Sequence, residues 1–146
     1  PVVRVVAIHI SPGRRIPMRA VDAVDAEAGK GLIGDRYHGT RHRHVTIQSQ
    51  ESLDAAADEL GDPINAGLTR RNLTVDAGVI PTAPGTRLRV GEVELEVVRV
   101  SAPCRLLDDG IGAGAAAALR GRAGSVLRVL SSGRIQLGDD VAIAPS

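Results

Sequence analysis

The chain holds a single cysteine, Cys104, in the stretch VSAPCRLLDDG at 100–110, with Pro103 before it and Arg105 after it. A thiol beside a guanidinium is drawn toward thiolate, the form that attacks sulfur and ligates soft metals. Cys104 follows a β-branched run ending at Val100, so it falls where a strand gives way to a loop, a place that suits function better than packing. The competing role is that of a small buried hydrophobe, the usual fate of a free cysteine.

A second group, GKGLIGDRYHGTRHRH at 29–44, sets Asp35, Arg36, His38, Arg41, His42, Arg43 and His44 among glycines at 29, 31, 34 and 39. Glycines let backbone amides approach an anion closely. The context of Lys30 matches neither a P-loop nor a dinucleotide fingerprint. His38, His42 and His44, with Asp35 as a fourth ligand, have a spacing compatible with zinc but unspecific, and a solvated loop whose histidines cap or pair with acids is the better account of them. A third group, TRRNLTV at 69–75, places Arg70 and Arg71 before a strand. Alternation along that strand predicts that Arg71 points into a pocket and Arg70 outward, unless both are plain surface charges. Asn72 is open to a binding role or to that of a turn residue bonding its own backbone.

The elements that must position these groups read mainly as strands: 2–10, 44–49, 71–76, a pair folded about Gly91 within 86–100, 125–130 and 134–143. The last two meet a Ser-Ser-Gly turn and a Gly-Asp-Asp turn, and Gly138, Asp139 and Asp140 read as a hairpin. A helix is predicted over 49–61, with Ser49 as N-cap and Gly61 as stop, and a short Ala-rich helix over 113–121. This is one mainly all-β domain, 1–146, with short helices at its periphery.

Composition narrows the function classes. There is no Phe or Trp and Tyr37 is the sole aromatic, so Val, Leu, Ile and Ala must fill the core. Arginine supplies 17 of the 18 basic residues at a net charge of +1, and it offers the planar recognition of phosphate that lysine lacks. A nucleic-acid-binding barrel is a weak reading, because single-strand binders stack bases on aromatic side chains. One cysteine forms no internal disulfide, and no apolar run resembles a leader or a membrane span, which predicts a cytoplasmic protein without membrane contact.

In order, GLIGDRYHG, RRNLTV, PGTRLRVGEVELEVVRVSAPC and GRAGSVLRVLSSGRIQLGDDV resemble the MOSC domain, the module named for the C-terminal part of molybdenum-cofactor sulfurases, from about Val5 to Ile143. The resemblance implies a distorted, mainly antiparallel β-barrel like that of pyruvate kinase, with one cysteine at the mouth of a basic pocket. In that family the cysteine carries sulfur as a persulfide or coordinates the molybdenum of the pterin cofactor, and Cys104 occupies its place. The family's pterin-binding Arg-Asn pair looks like Arg71 and Asn72, and its early Gly-Asp-Arg/His segment looks like Gly34, Asp35, Arg36 and His38. Two departures stand out. Ala102 lies where molybdenum-binding reductases often place a polar residue, and the chain holds neither their N-terminal barrel nor a pyridoxal-phosphate cysteine desulfurase domain.

Taken with the residues, the resemblance implies a molybdopterin-binding or sulfur-carrier module. Arg36, Arg41, Arg71 and Arg105, with His38 and Asn72, form its ligand site around Cys104. Its partner is a cysteine desulfurase or other persulfide donor, or an electron-donating redox protein. The alternatives are a small molybdenum-dependent reductase of N-hydroxylated compounds and a non-enzymatic anion-binding barrel.

Overall fold

The structure is a computed structural model and describes residues 2–104 and 106–143; Arg105, one of the predicted ligand residues, lies outside them. Eleven strands, β1 (Val3–Ile10), β2 (Arg19–Val21), β3 (Ala23–Glu27), β4 (Gly31–Leu32), β5 (Val45–Ser49), β6 (Leu73–Val75), β7 (Arg87–Val90), β8 (Val93–Val100), β9 (Ser125–Val129), β10 (Gly133–Gln136) and β11 (Asp140–Ile143), are joined by α1 (Gln50–Leu60), α2 (Leu106–Gly110) and α3 (Ala115–Ala118). Seven strands close into a barrel in the order β11-β7-β8-β9-β5-β6-β1, β11 pairing back to β1 through Val3–Val141 and Arg4–Asp140, while β2 extends β1 outward. A separate sheet, β10-β3-β4, lies beside it. Closure satisfies strand edges that would otherwise be open to intermolecular pairing.

The hydrophobic core of the barrel is aliphatic, as a chain without Phe or Trp requires: Val5, Ile8, Ile47, Leu73, Leu88, Leu95 and Leu127 are all buried in one cluster. A second, smaller core joins Leu53 and Ala56 of α1 to Leu107 of α2 and Ala115, Ala118 and Leu119. Helix α1 begins and ends as its sequence dictates: the Ser49 side chain accepts from the Ser52 amide, and Gly61 adopts φ 83 as a left-handed cap.

Helix α1 also makes the barrel mixed. It is part of the crossover from β5 to β6, so those two strands run parallel, with Ile47 opposite Leu73, whereas the other barrel pairs are antiparallel. A parallel pair needs a crossover of about this length, often a helix. The Gly138–Asp140 turn is not a hairpin, contrary to the sequence expectation. It carries the chain from β10, which pairs with β3, to β11, which pairs with β1 and β7, and the Asp139 carboxylate accepts from the Gln136 amide at 2.9 Å.

Gly124, just before β9, has φ 78, and a Cβ placed there would lie 1.7 Å from the Ile47 carbonyl oxygen. Its own carbonyl accepts from the Ser101 amide at 2.9 Å, tying the approach to Cys104 onto the barrel. Gly124→Ala therefore has to displace β5 or β9, and a loss of about 3 kcal/mol or more is expected in urea denaturation.

Candidate functional site

A cleft of about 940 Å³ opens where the chain leaves β1, enters β5 and β6, and passes from β8 to α2. Its frame is a buried polar hub. The Asn72 side-chain oxygen accepts from the Thr46 amide at 2.9 Å and from the Thr46 hydroxyl at 3.2 Å. Its amide nitrogen donates to the His9 carbonyl at 3.0 Å and to the Asp35 carboxylate at 3.2 Å. Asp35, also buried, accepts from the Ser11 amide at 2.7 Å and the Tyr37 amide at 3.2 Å. Asn72 is thus neither a free ligand group nor a turn residue bonding its own backbone; it joins β1, β5 and the loop after β4.

On this frame stand six arginines, Arg14, Arg15, Arg36, Arg43, Arg70 and Arg71, against two carboxylates, Asp35 and Asp109. The seven ion pairs among the described residues use Arg4, Arg87, Arg89, Arg122, Arg128, Arg134 and His38, none of which lines the cleft. The cleft is therefore a region of uncompensated positive charge.

Arg71 is the deepest of these cations, with only 6% of its surface exposed. Its Nε donates to the Ala123 carbonyl at 3.1 Å and one terminal nitrogen to the Ala102 carbonyl at 3.2 Å, so it braces the segment leading to Cys104. Burial first, and then the neighbouring charge of Arg43, lower its pKa to about 10, and Cys104 and Tyr37 oppose that shift. It remains charged at neutral pH. Arg43 and Arg36 lie over the Tyr37 ring at 4.3 and 4.4 Å from its centre, and Arg36 also donates to the Tyr37 hydroxyl at 2.7 Å. The Nε of Arg43 and Nδ1 of His9 are buried in the cleft wall without a described partner. Cys104 is exposed on the same cleft and accepts a long contact, 3.5 Å, from the Leu106 amide.

Arg71, Asn72, Arg36 and Cys104 all line the cleft, whereas two other residues assigned to the site from the sequence do not. His38 pairs with Glu27 at 2.8 Å, away from the cleft. Arg41 is exposed outside it, because the Thr40 hydroxyl bridges the carbonyls of Tyr37 and Arg43 at 2.8 and 2.7 Å and turns the intervening residues outward. The three histidines share no partner. His42 Nδ1 meets Arg128 at 2.9 Å, while His44 accepts from the Val129 amide at 3.0 Å and donates to the Thr40 carbonyl at 2.7 Å. No group of three or more His, Cys, Asp or Glu among the described residues is arranged to hold a metal ion.

Arg70 corrects the alternation argument. It lines the cleft alongside Arg71, because both precede β6 and Arg70 has a left-handed backbone, φ 64, to which strand alternation does not apply. Arg14, Arg15 and His9 were missed, and Arg43 was not carried into the ligand set. Arg43 was visible within the Gly-rich stretch, but nothing local marks His9 in an apolar strand.

A closed mixed barrel with a cationic cleft and one thiol at its mouth is the class that the geometry defines. The family model for the MOSC domain matches residues 34–142, and the chain belongs to that family, which is associated with the molybdenum cofactor. Its fold is similar to that of the YuaD protein from Bacillus subtilis, at 19% identity and a TM-score of 0.85 over 98% of this chain and 96% of that one. It is also similar to YiiM from Geobacillus stearothermophilus, at 18% identity and 0.78 over 98% and 75%, and to YiiM from Escherichia coli, at 19% and 0.71 over 98% and 70%. No protein of curated function matches the chain. No described helix is long and apolar enough to cross a membrane.

Two predictions arise from the frame. Asn72→Ala removes one of the three donors to the buried Asp35 carboxylate and leaves the Thr46 amide without its side-chain partner, and a loss of about 2 to 3 kcal/mol is expected in urea denaturation. Burial lowers the pKa of both His9 and His44 below the ordinary 6.5. The unfolded chain therefore binds more protons than the folded one as pH falls through 6.5. Stability is full above that pH and falls below it, which denaturation midpoints at pH 7.5 and about 5 will register; His44→Gln should flatten the dependence.

Proposed function

We propose that this protein binds the molybdenum cofactor in the cleft, with Cys104 as a ligand to the metal and Arg71 and Arg43 receiving the phosphate of the pterin. The observation that carries this reading is the pairing of an exposed thiol with a buried guanidinium that has no carboxylate partner, on one cleft. A buried cation left unpaired costs folding free energy unless an anion completes it. A thiolate is a soft donor able to complete the coordination of a transition metal. When bound, the cofactor would supply two-electron redox chemistry at the metal.

The chain's own residues would do the rest. Arg71, held by the Ala102 and Ala123 carbonyls, presents its remaining donors at a fixed place, and Arg43 brings the orphaned Nε. A phosphate offers each a charge-assisted hydrogen bond. Arg36 and Tyr37 form the wall beside them, and Asn72 acts by holding that wall in place rather than by touching the ligand. In a reductase of this kind the electrons come from a separate redox protein.

The exposure of Cys104 supports a second reading, that of sulfur carrier. Its thiolate would attack the outer sulfur of a donor persulfide on a cysteine desulfurase. The S–S bond of the donor breaks, a new one forms to Cys104, and the donor leaves as a thiolate, so no oxidant is needed. The pyridoxal phosphate of such a desulfurase belongs to the partner.

One experiment separates the two. Wild type, Cys104→Ser and Arg71→Ala are made in a host that synthesises molybdopterin, purified without oxygen, and analysed for molybdenum, pterin mass and sulfane sulfur. Under the cofactor reading wild type holds metal and pterin, Cys104→Ser loses metal more than pterin, and Arg71→Ala loses both, at least tenfold. Under the carrier reading none holds pterin, and only the two proteins with Cys104 gain a persulfide from a desulfurase and cysteine. Wild type with neither pterin, metal nor persulfide overturns both.

A further inference from the structure

Five of the six cleft arginines fall into two tiers, Arg36 being engaged with Tyr37, and the outer tier has no role in the function proposed above. Arg14 and Arg15 belong to the exposed loop Ser11–Met18, and Arg70 to the turn facing it. The loop is fastened very differently at its two ends. Ser11 is bolted to the frame: its amide donates to Asp35 at 2.7 Å, and its carbonyl accepts from the Arg36 amide at 2.8 Å. Near the far end the side-chain tie is Arg70, one terminal nitrogen of which donates to the Ile16 carbonyl at 2.5 Å while the other reaches the Ser11 hydroxyl at 3.2 Å. A single guanidinium therefore spans the loop from one end to the other.

Two further facts single out this arrangement. Arg15 and Arg70 are the non-glycine residues of the described chain with positive φ, 59 and 64, a conformation in which side chains other than glycine are strained. Both lie on the cleft, one on the loop and one on its latch. Such strain persists where the surroundings over-determine it, and it clusters at ligand clamps. The loop is also tightly folded on itself, since a Cβ at Gly13 would lie 2.7 Å from the Ile16 side chain. The acceptors that Arg70 has found are both neutral, a carbonyl and a hydroxyl, so its charge is hydrogen-bonded but not balanced.

We propose that Arg14, Arg15 and Arg70 form a second anion subsite at the mouth of the cleft, for a second phosphate group on the ligand or on a co-substrate, with Arg70 latching the loop over it. The inner tier, Arg43 and Arg71, holds one anion, and the outer tier another. The latch makes the two events on the loop cooperative: Arg70 positions Arg14 and Arg15, and an anion shared by the three guanidinium groups holds the loop down. The subsite rests on charge and loop geometry, not on the metal, and stands or falls separately from the cofactor reading.

Trypsin reads the loop directly, because Arg14 and Arg15 are themselves cleavage sites. The full chain is digested in pyrophosphate, in orthophosphate and in sodium chloride at matched ionic strength, and cutting after these residues is followed by mass. Wild type should be cut at least fivefold more slowly in pyrophosphate than in chloride, with orthophosphate intermediate. Arg70→Gly, which keeps the left-handed backbone without strain, should be cut severalfold faster than wild type in chloride and gain no protection from pyrophosphate. Arg70→Lys keeps the charge but replaces the planar fork, whose two terminal nitrogens each meet one acceptor, with a single nitrogen, and it should behave like Arg70→Gly. Equal cutting of wild type and both variants, or equal protection of all three by pyrophosphate, overturns the proposal. Loss of this pattern in a protein that still binds molybdenum removes the outer subsite alone; the pattern in a protein that binds none removes only the cofactor reading.

Discussion

The Asn72 side chain is the interaction on which the site depends. Its amide joins a carboxylate, a backbone carbonyl, a backbone amide and a hydroxyl that come from the loop after β4, from β1 and from β5. No apolar residue could do this, because the Thr46 amide would then be buried without its partner and Asp35 would lose one of its three donors. The Asp35 charge is taken up by the amides of Ser11 and Tyr37 and by Asn72, so it is spent on the frame and is not free to neutralise an arginine. The cleft can hold a large excess of positive charge because its most buried carboxylate is already committed.

That excess sets the character of the protein more than its near-zero net charge does. Outside the cleft, arginines meet glutamates and aspartates in exposed pairs that contribute little to stability. Inside it, cations are placed on carbonyls, on the Tyr37 ring and on one another. The fold accepts repulsion between Arg43 and Arg71 that a purely structural interior would have removed. Such conflict between local energetics and global fold is expected at functional or strained sites.

Much of this was legible from local pattern, because the long barrel strands and α1 have clear periodicity and caps. Arg71 and Cys104 could be placed near one another only through the family resemblance, since nothing in the spacing joins them. What stayed hidden was non-local. The strands β2, β3 and β4 have three, five and two residues and exist because β1 and β10 offer them edges, which no short window reveals. The parallel pairing of β5 with β6 follows from α1, a helix whose boundaries were read without its topological consequence. Arg70 went astray because a left-handed backbone at a non-glycine residue breaks the alternation that the sequence implies, and His38 and Arg41 because a loop rich in ligand types can point its side chains either way.

Tyr37 lies between two guanidinium groups in the cleft wall, in a chain with no tryptophan or phenylalanine. The near-ultraviolet absorption and intrinsic emission of the whole protein therefore come from one phenol at the site itself. Elsewhere the barrel is optically silent. A ligand that displaces Arg36 or Arg43 from the ring alters that emission at its source, and a conjugated heterocycle seated beside it would drain it by energy transfer. The protein thus holds its own single-point optical reporter of cleft occupancy, with no label to introduce and no background to subtract.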